Sequence, residues 1–252
     1  MQRYISNELT HFVGRNLPYE KQYDLLIEII KSGWLTHPPH NPNISGNLIV
    51  NASNKISENE MYNPEVVCFC DIPINDLQIH KNKYSSFGLS FSKTFISELG
   101  GLPVRYIPKK AQIKVMKTDR KELEDAMRSN HKDNSMDHFT NKLSYQEYFD
   151  QRLSEYQLFI NANRKNPNEE MRKALVHLDY FLSFYVFGFY KFYDNTLPDD
   201  HSDNYYMERE WRVIGNVKFT QLDIQRIIIP KEYSKKLRED LPEYINQVSF
   251  IV

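Results

Sequence analysis

Cysteine is scarce, with Cys68 and Cys70 the only two in 252 residues. At adjacent same-face positions of an extended strand they cannot meet disulfide geometry with each other, so a reducing compartment is expected. The pair has no second C-x-C or H-x-H at the spacing of a structural zinc site. His80 and His11 alone do not supply one, so two buried, inert thiols and no metal are expected. Glycine is also sparse, at 8 residues. None of them builds a phosphate-cradling loop, a dinucleotide fingerprint or a nucleophile elbow, and a zinc-protease helix is likewise missing. There is no bias of charge: 32 Lys and Arg against 33 Asp and Glu leave a net −1. Such balance gives no general attraction to nucleic acid or to an anionic membrane, and any partner must be argued locally. Long apolar runs are absent too. The best candidate, residues 180–192, is rich in Tyr hydroxyls and shorter than the ~20 residues that span a bilayer. The opening MQRYISNELTHF lacks the basic-then-apolar layout of a signal peptide. A soluble, cytoplasmic protein without a membrane partner is the expectation.

Aromatic residues are plentiful, 17 Tyr and 15 Phe, many of them within residues 145–206. They suit a helical core or a partner surface. With 40% hydrophobic residues the chain can bury the core of one domain spanning residues 1–252. Residues 9–13 alternate as a strand ending at Gly14. Tyr23, Leu26, Ile27 and Ile30 mark an amphipathic helix closed by Gly33. The prolines within residues 37–42 exclude regular structure. Strands follow at residues 66–70, 87–92 and 104–107. A mainly helical insertion is expected at about residues 117–194. Strands return at 210–214 and 226–229, then a charged helix at 231–241 and a terminal strand at 248–252. This order favours an α+β fold over a regularly alternating parallel sheet.

The strongest chemical signal is YYMEREWRV at residues 205–213. Read as one strand, it places Met207, Arg209, Trp211 and Val213 on one face and Glu208, Glu210 and Arg212 on the other. Two carboxylates beside a guanidinium can hold a ribose hydroxyl, activate a nucleophile or orient a cation. The plainer reading is an exposed edge strand with a surface ion pair. In residues 87–92, Phe87, Leu89 and Phe91 alternate with Gly88, Ser90 and Ser92, and the small residues would let a ligand come close. Tyr84 could stack on that ligand or simply pack in the core. His11, between Leu9 and Val13, is a ligand contact or a packing residue bonded to a carbonyl.

Taken together, LTHFVGR (9–15), VVCFCDIPINDLQIH (66–80), YSSFGLSFSK (84–93), GGLPVRYI (100–107) and EREWRV (208–213) resemble the AbiGi family of bacterial abortive-infection proteins. Members are described as antitoxins of phage-resistance systems. The same block order is similar to ADP-ribosyltransferase-like folds, in which an early histidine, a middle aromatic or serine and a late glutamate converge on NAD. That resemblance implies a split β-sheet core carrying the helical insertion. It implies His11, Tyr84, Gly88, Ser90 and Arg212 as NAD-binding residues and Glu210, with Glu208, as catalytic. Glu210 would polarise the nicotinamide ribose and stabilise the developing oxocarbenium ion. The expected function is an NAD-using transferase or glycohydrolase in anti-phage defence, acting on an unknown acceptor, with nucleic acid left open. The alternative is a non-catalytic antitoxin or sensor that binds a cognate toxin or antitoxin through the same cleft or the aromatic insertion. A nuclease ranks last, since Glu208 and Glu210 are the only clustered acids in sight.

Overall fold

The computed structural model describes residues 6–37, 42–43, 46–77, 81, 83–116, 139–198, 201 and 204–251. Its strands, in chain order, are β1 Glu8–Phe12, β2 Trp34–Leu35, β3 Leu48–Val50, β4 Tyr62–Pro64, β5 Val66–Cys70, β6 Gly88–Ser92, β7 Leu102–Pro103, β8 Arg105–Pro108, β9 Gln112–Met116, β10 Phe139–Ser144, β11 Tyr190–Tyr193, β12 Glu210–Ile214, β13 Val217–Lys218, β14 Ile224–Pro230 and β15 Gln247–Ile251. Its α-helices are α1 Tyr19–Ser32, α2 Lys93–Glu98, α3 Tyr145–Asn163, α4 Glu169–Tyr185 and α5 Ser234–Asp240. The α+β class is thus present, as a large mixed sheet with helices.

Seven strands form the main sheet in the order β15-β14-β6-β1-β5-β12-β7. Only β14 and β15 run parallel; the other neighbours are antiparallel. Period-2 alternation gives the sheet one apolar face. Leu9, Val13, Val67, Phe69, Phe87, Leu89, Phe91 and Val213 bury there against Tyr23, Leu26, Ile27 and Ile30 of α1 and Leu237 of α5. Helix α1 forms because its apolar residues recur every three or four positions, and it stops at Gly33, whose φ of 70° suits the left-handed cap.

Residues 117–138, part of the expected insertion, lie outside the described residues, as do His40, His80, His131 and His138. The rest of the insertion is less helical than expected. Alongside α3 and α4 it contains β10, paired with β9, and β11, which runs parallel to β8. A second, smaller core joins Ile56, Met61, Tyr62, Ile107, Leu153 and Phe192 beneath this layer.

The sheet also opens locally. Strand β1 pairs with β6 at five positions but with β5 only at Thr10↔Cys70. Past Thr10 the strands part, and the His11 side chain spans the gap, with Nδ1 2.8 Å from the Cys68 carbonyl. Because a carbonyl can only accept, this bond fixes Nδ1 as the protonated nitrogen.

Candidate functional site

The segment carrying the two glutamates is not one continuous strand. Tyr205–Glu208 is a short 3-10 turn, opened by Asn204, whose side chain accepts from the Tyr206 N–H. Arg209 then adopts a left-handed conformation at φ 44°, and β12 begins at Glu210. The expected alternation of Met207 and Arg209 with Trp211 therefore fails, because Asn204 offers the backbone a local turn in place of ladder bonds. The crossing is pinned by the Asp71 N–H, which donates to the Arg209 carbonyl at 3.1 Å. The Glu210 N–H donates to the Tyr106 hydroxyl at 2.8 Å.

Even so, both carboxylates reach a single ammonium. Lys191 Nζ lies 2.5 Å from Glu208 Oε2 and 2.7 Å from Glu210 Oε2. Lys83 Nζ adds a 2.8 Å bond to Glu208 Oε1, which also accepts from the Tyr84 hydroxyl. Arg212 Nε sits 2.7 Å from Glu210 Oε1 and donates through Nη1 to the Gly188 carbonyl. Glu208 and Glu210 are 6% and 7% exposed, so two acids in a row are tolerable only because three cations surround them. Burial alone would push Glu210 upward, but Arg212 and Lys191 outweigh it and hold the carboxyl at about 2. Glu208 is lowered likewise: burial opposes, and Lys191, Lys83 and Tyr84 prevail. Burial and the adjacent Glu208 charge push the Tyr84 phenol up, so it stays protonated and donates.

This cluster forms one wall of a cavity of about 320 Å³ in which His11, Phe12, Arg15, Cys68, Tyr84, Lys191, Glu208 and Glu210 meet. By register, His11 belongs with Leu9 and Val13 on the apolar face, and Glu210, level with Cys70 and Thr10, to the other. They share a cavity because the sheet is open between β1 and β5. Tyr84 stacks on Phe12 at 6.3 Å, and the Arg15 guanidinium lies 5.1 Å from the Tyr84 ring centre.

Three expected site residues sit elsewhere. Ser90, 1% exposed, spends its hydroxyl on Thr10 at 3.0 Å, behind the cavity. Gly88 lies where a Cβ would come within 2.9 Å of the His11 carbonyl, so its smallness admits β1 and not a ligand. Arg212 touches Glu210 but borders a neighbouring cavity. The two thiols also differ from the expectation of equal burial. Cys70 is buried, and burial with the Asp71 charge pushes it up to about 12, whereas Cys68 opens into the cavity. Cys68 is hemmed in by protein atoms all the same, and desolvation with the neighbouring Glu210 raises its thiol too.

The family described as "Putative abortive phage resistance protein AbiGi, antitoxin" matches residues 50–248. The chain belongs to the AbiGi family. Membership places it among anti-phage abortive-infection proteins, under a description that names an antitoxin and therefore a toxin as counterpart. Comparison with curated proteins and with solved structures gave no match. The AbiGi match contains Tyr84, Lys191 and both glutamates and begins after β1, so His11 and Arg15 lie outside it. Sequence reasoning missed Lys83, Arg15 and Lys191. Lys191 lay hidden in an aromatic run read as helix, where the signal was a lysine alternating with rings in YKFY, the period of a strand.

Among the described residues no helix is long and apolar enough to cross a membrane, and no group of three or more His, Cys, Asp or Glu is placed to hold a metal ion.

Proposed function

We propose that this AbiGi chain is an NAD-using, ADP-ribosyltransferase-like enzyme of abortive infection, with Glu210 as its catalytic carboxylate. One observation carries the reading: two buried, ionised carboxylates on a shared ammonium form the wall of a cavity that also holds His11 and Tyr84. The donor set suits a nucleotide. Tyr84 and Phe12 offer stacked rings, Arg15 and Lys191 offer cations for phosphate oxygens, and the volume admits a nucleoside-sized group. NAD would supply an ADP-ribosyl group whose bond to nicotinamide is already weakened by the positive charge of the ring.

The residues then have only to hold, orient and stabilise. Each Glu210 oxygen takes one bond from a cation, and the Cys68 thiol adds a third, which leaves the carboxylate one acceptor site. It can accept from a ribose hydroxyl and face positive charge growing at the sugar carbon, preorganised in a dry setting where such charges count most. Glu208 shares the Lys191 ammonium with Glu210 and holds it in place. Arg212 acts by keeping Glu210 ionised, and Gly88 and Ser90 act from behind by seating β1. The test is nicotinamide release from NAD by the wild type and by Glu210→Gln at a temperature where both are folded. Release lost in the variant supports the reading; release equal in the two, or none from the wild type, overturns it.

A second reading, a binding module in the antitoxin sense of the family description, is favoured by α4. That helix buries Ser183 alone and leaves Met171, Val176, Leu178, Tyr180, Phe181 and Tyr185 between 44% and 59% exposed. Co-expression with the cognate toxin would support it if Phe181→Asp loses neutralisation while Glu210→Gln retains it.

A further inference from the structure

Beside the NAD cavity lies a second one of about 310 Å³, which shares His37 and Val66 with it. Its walls are aromatic. Tyr62 and Phe187 rings lie 5.1 Å apart, Phe187 and Tyr190 6.2 Å apart, and all three border the space. Its polar groups are of opposite kinds. The Arg212 guanidinium, which borders the space, spends two of its five N–H donors on Glu210 and Gly188. Glu65 accepts at Oε2 from the Asn47 N–H at 2.9 Å, which leaves Oε1 as an acceptor. A slot with aromatic walls, a fork of donors and a carboxylate fits a planar ring that both accepts and donates.

We propose that this second cavity binds a nucleobase and prefers guanine to adenine. Guanine O6 and N7 accept from a guanidinium fork, while its N1–H and N2–H donate to a carboxylate; adenine presents an amino donor where the fork also donates. Base binding stands on this cavity alone. Its role in the chemistry rests on the NAD reading: Arg212 is bonded to Glu210, so a base held here abuts the wall of the first cavity and is the acceptor. In that transfer the bond from sugar carbon to nicotinamide breaks and its electron pair leaves with nicotinamide. A new bond forms from the same carbon to a nitrogen of the base, and the proton displaced from the base goes to solvent.

Calorimetric titration of the full chain with guanosine and with adenosine tests the site. Guanosine is expected to bind about tenfold tighter, the scale of one good paired base contact. Glu65→Gln should bring the two nucleosides within about twofold while NAD titration is unchanged. Ile49→Arg, at an exposed position on the rim, should abolish both nucleosides without lowering the melting temperature. Equal affinities in the wild type, no binding of either nucleoside, or an unchanged ratio in Glu65→Gln overturns the proposal. Nicotinamide release is read separately. A wild type that releases none yet ranks guanosine first removes the NAD reading and leaves the base site standing, whereas release without nucleoside binding removes the base site.

Discussion

Glu210→Gln should weaken the fold as well as any activity, and the structure gives the size of that effect. The side chain is 7% exposed and is bonded to Arg212 and Lys191. Its carboxyl is held from an ordinary 4.5 down to about 2, with burial opposing and the two cations prevailing. At ~1.4 kcal/mol per pH unit that difference is about 3 kcal/mol, in line with the ~3–5 kcal/mol lost when one partner of a buried ion pair is removed. For a chain of this size the melting temperature should fall by roughly 6–12 °C. The sign of the pH dependence follows from the lowered value. A carboxylate more acidic in the folded state stabilises fully above its unfolded value, and that contribution is lost as pH falls through the folded one. The gap between wild type and variant should therefore be complete at pH 7, begin to narrow near 4.5 and vanish by about 2. Calorimetric melts from pH 7 to pH 3 read this directly. Lys191→Met and the Lys191→Met/Glu210→Gln pair complete a double-mutant cycle, whose coupling should be about 1–3 kcal/mol. Equal melting temperatures at pH 7, or a gap that does not change with pH, would refute the reasoning.

Three further outcomes follow from the same geometry. Gly88→Ala should cost about 1–3 kcal/mol, since its Cβ meets the His11 carbonyl at 2.9 Å in a closed sheet; a denaturant midpoint equal to the wild type contradicts this. Tyr84→Phe removes a bond to a charged Glu208 and should cost about 1.5–3 kcal/mol in urea unfolding, so a stability-neutral result would mean the phenol contributes nothing there. Iodoacetamide should modify Cys68 slowly in the native protein and Cys70 only after denaturation, as mass spectrometry of peptides would show; native labelling of Cys70 is incompatible with this structure.

The sheet was legible in the sequence wherever one face had to be dry. Val66–Cys70, read as a short apolar run, and Glu210–Ile214 fall where they were expected, and Phe87, Leu89 and Phe91 point into the core together. Legibility ended where side chains competed with the ladder. Asn204 and the left-handed Arg209 turned what reads as a strand into a turn. Glu208 and Glu210 were placed together for the wrong local reason and still came together, because Lys191 draws both. The cations were the hidden part of the site. Nothing near Lys191 in sequence announces a carboxylate, and its role depends on β11 pairing with β8 across more than 80 residues (190 against 105). Ser90 and Gly88 show the converse: small residues on a strand invite a ligand reading, while Thr10 and the β1 backbone occupy that space.

The delivery of Lys191 by a late strand has a consequence for translation. During synthesis, His11 and Tyr84 leave the ribosome well before Lys191 and Glu210. At about 5–20 residues per second, the interval between β1 and β12 lasts on the order of 10–40 s. Through most of it the nascent chain carries half a site, without Lys191 or either glutamate. A message cut short before the codon for Glu210 lacks β12, β14 and β15 of the main sheet as well as the second carboxylate, so only finished copies carry the whole cluster.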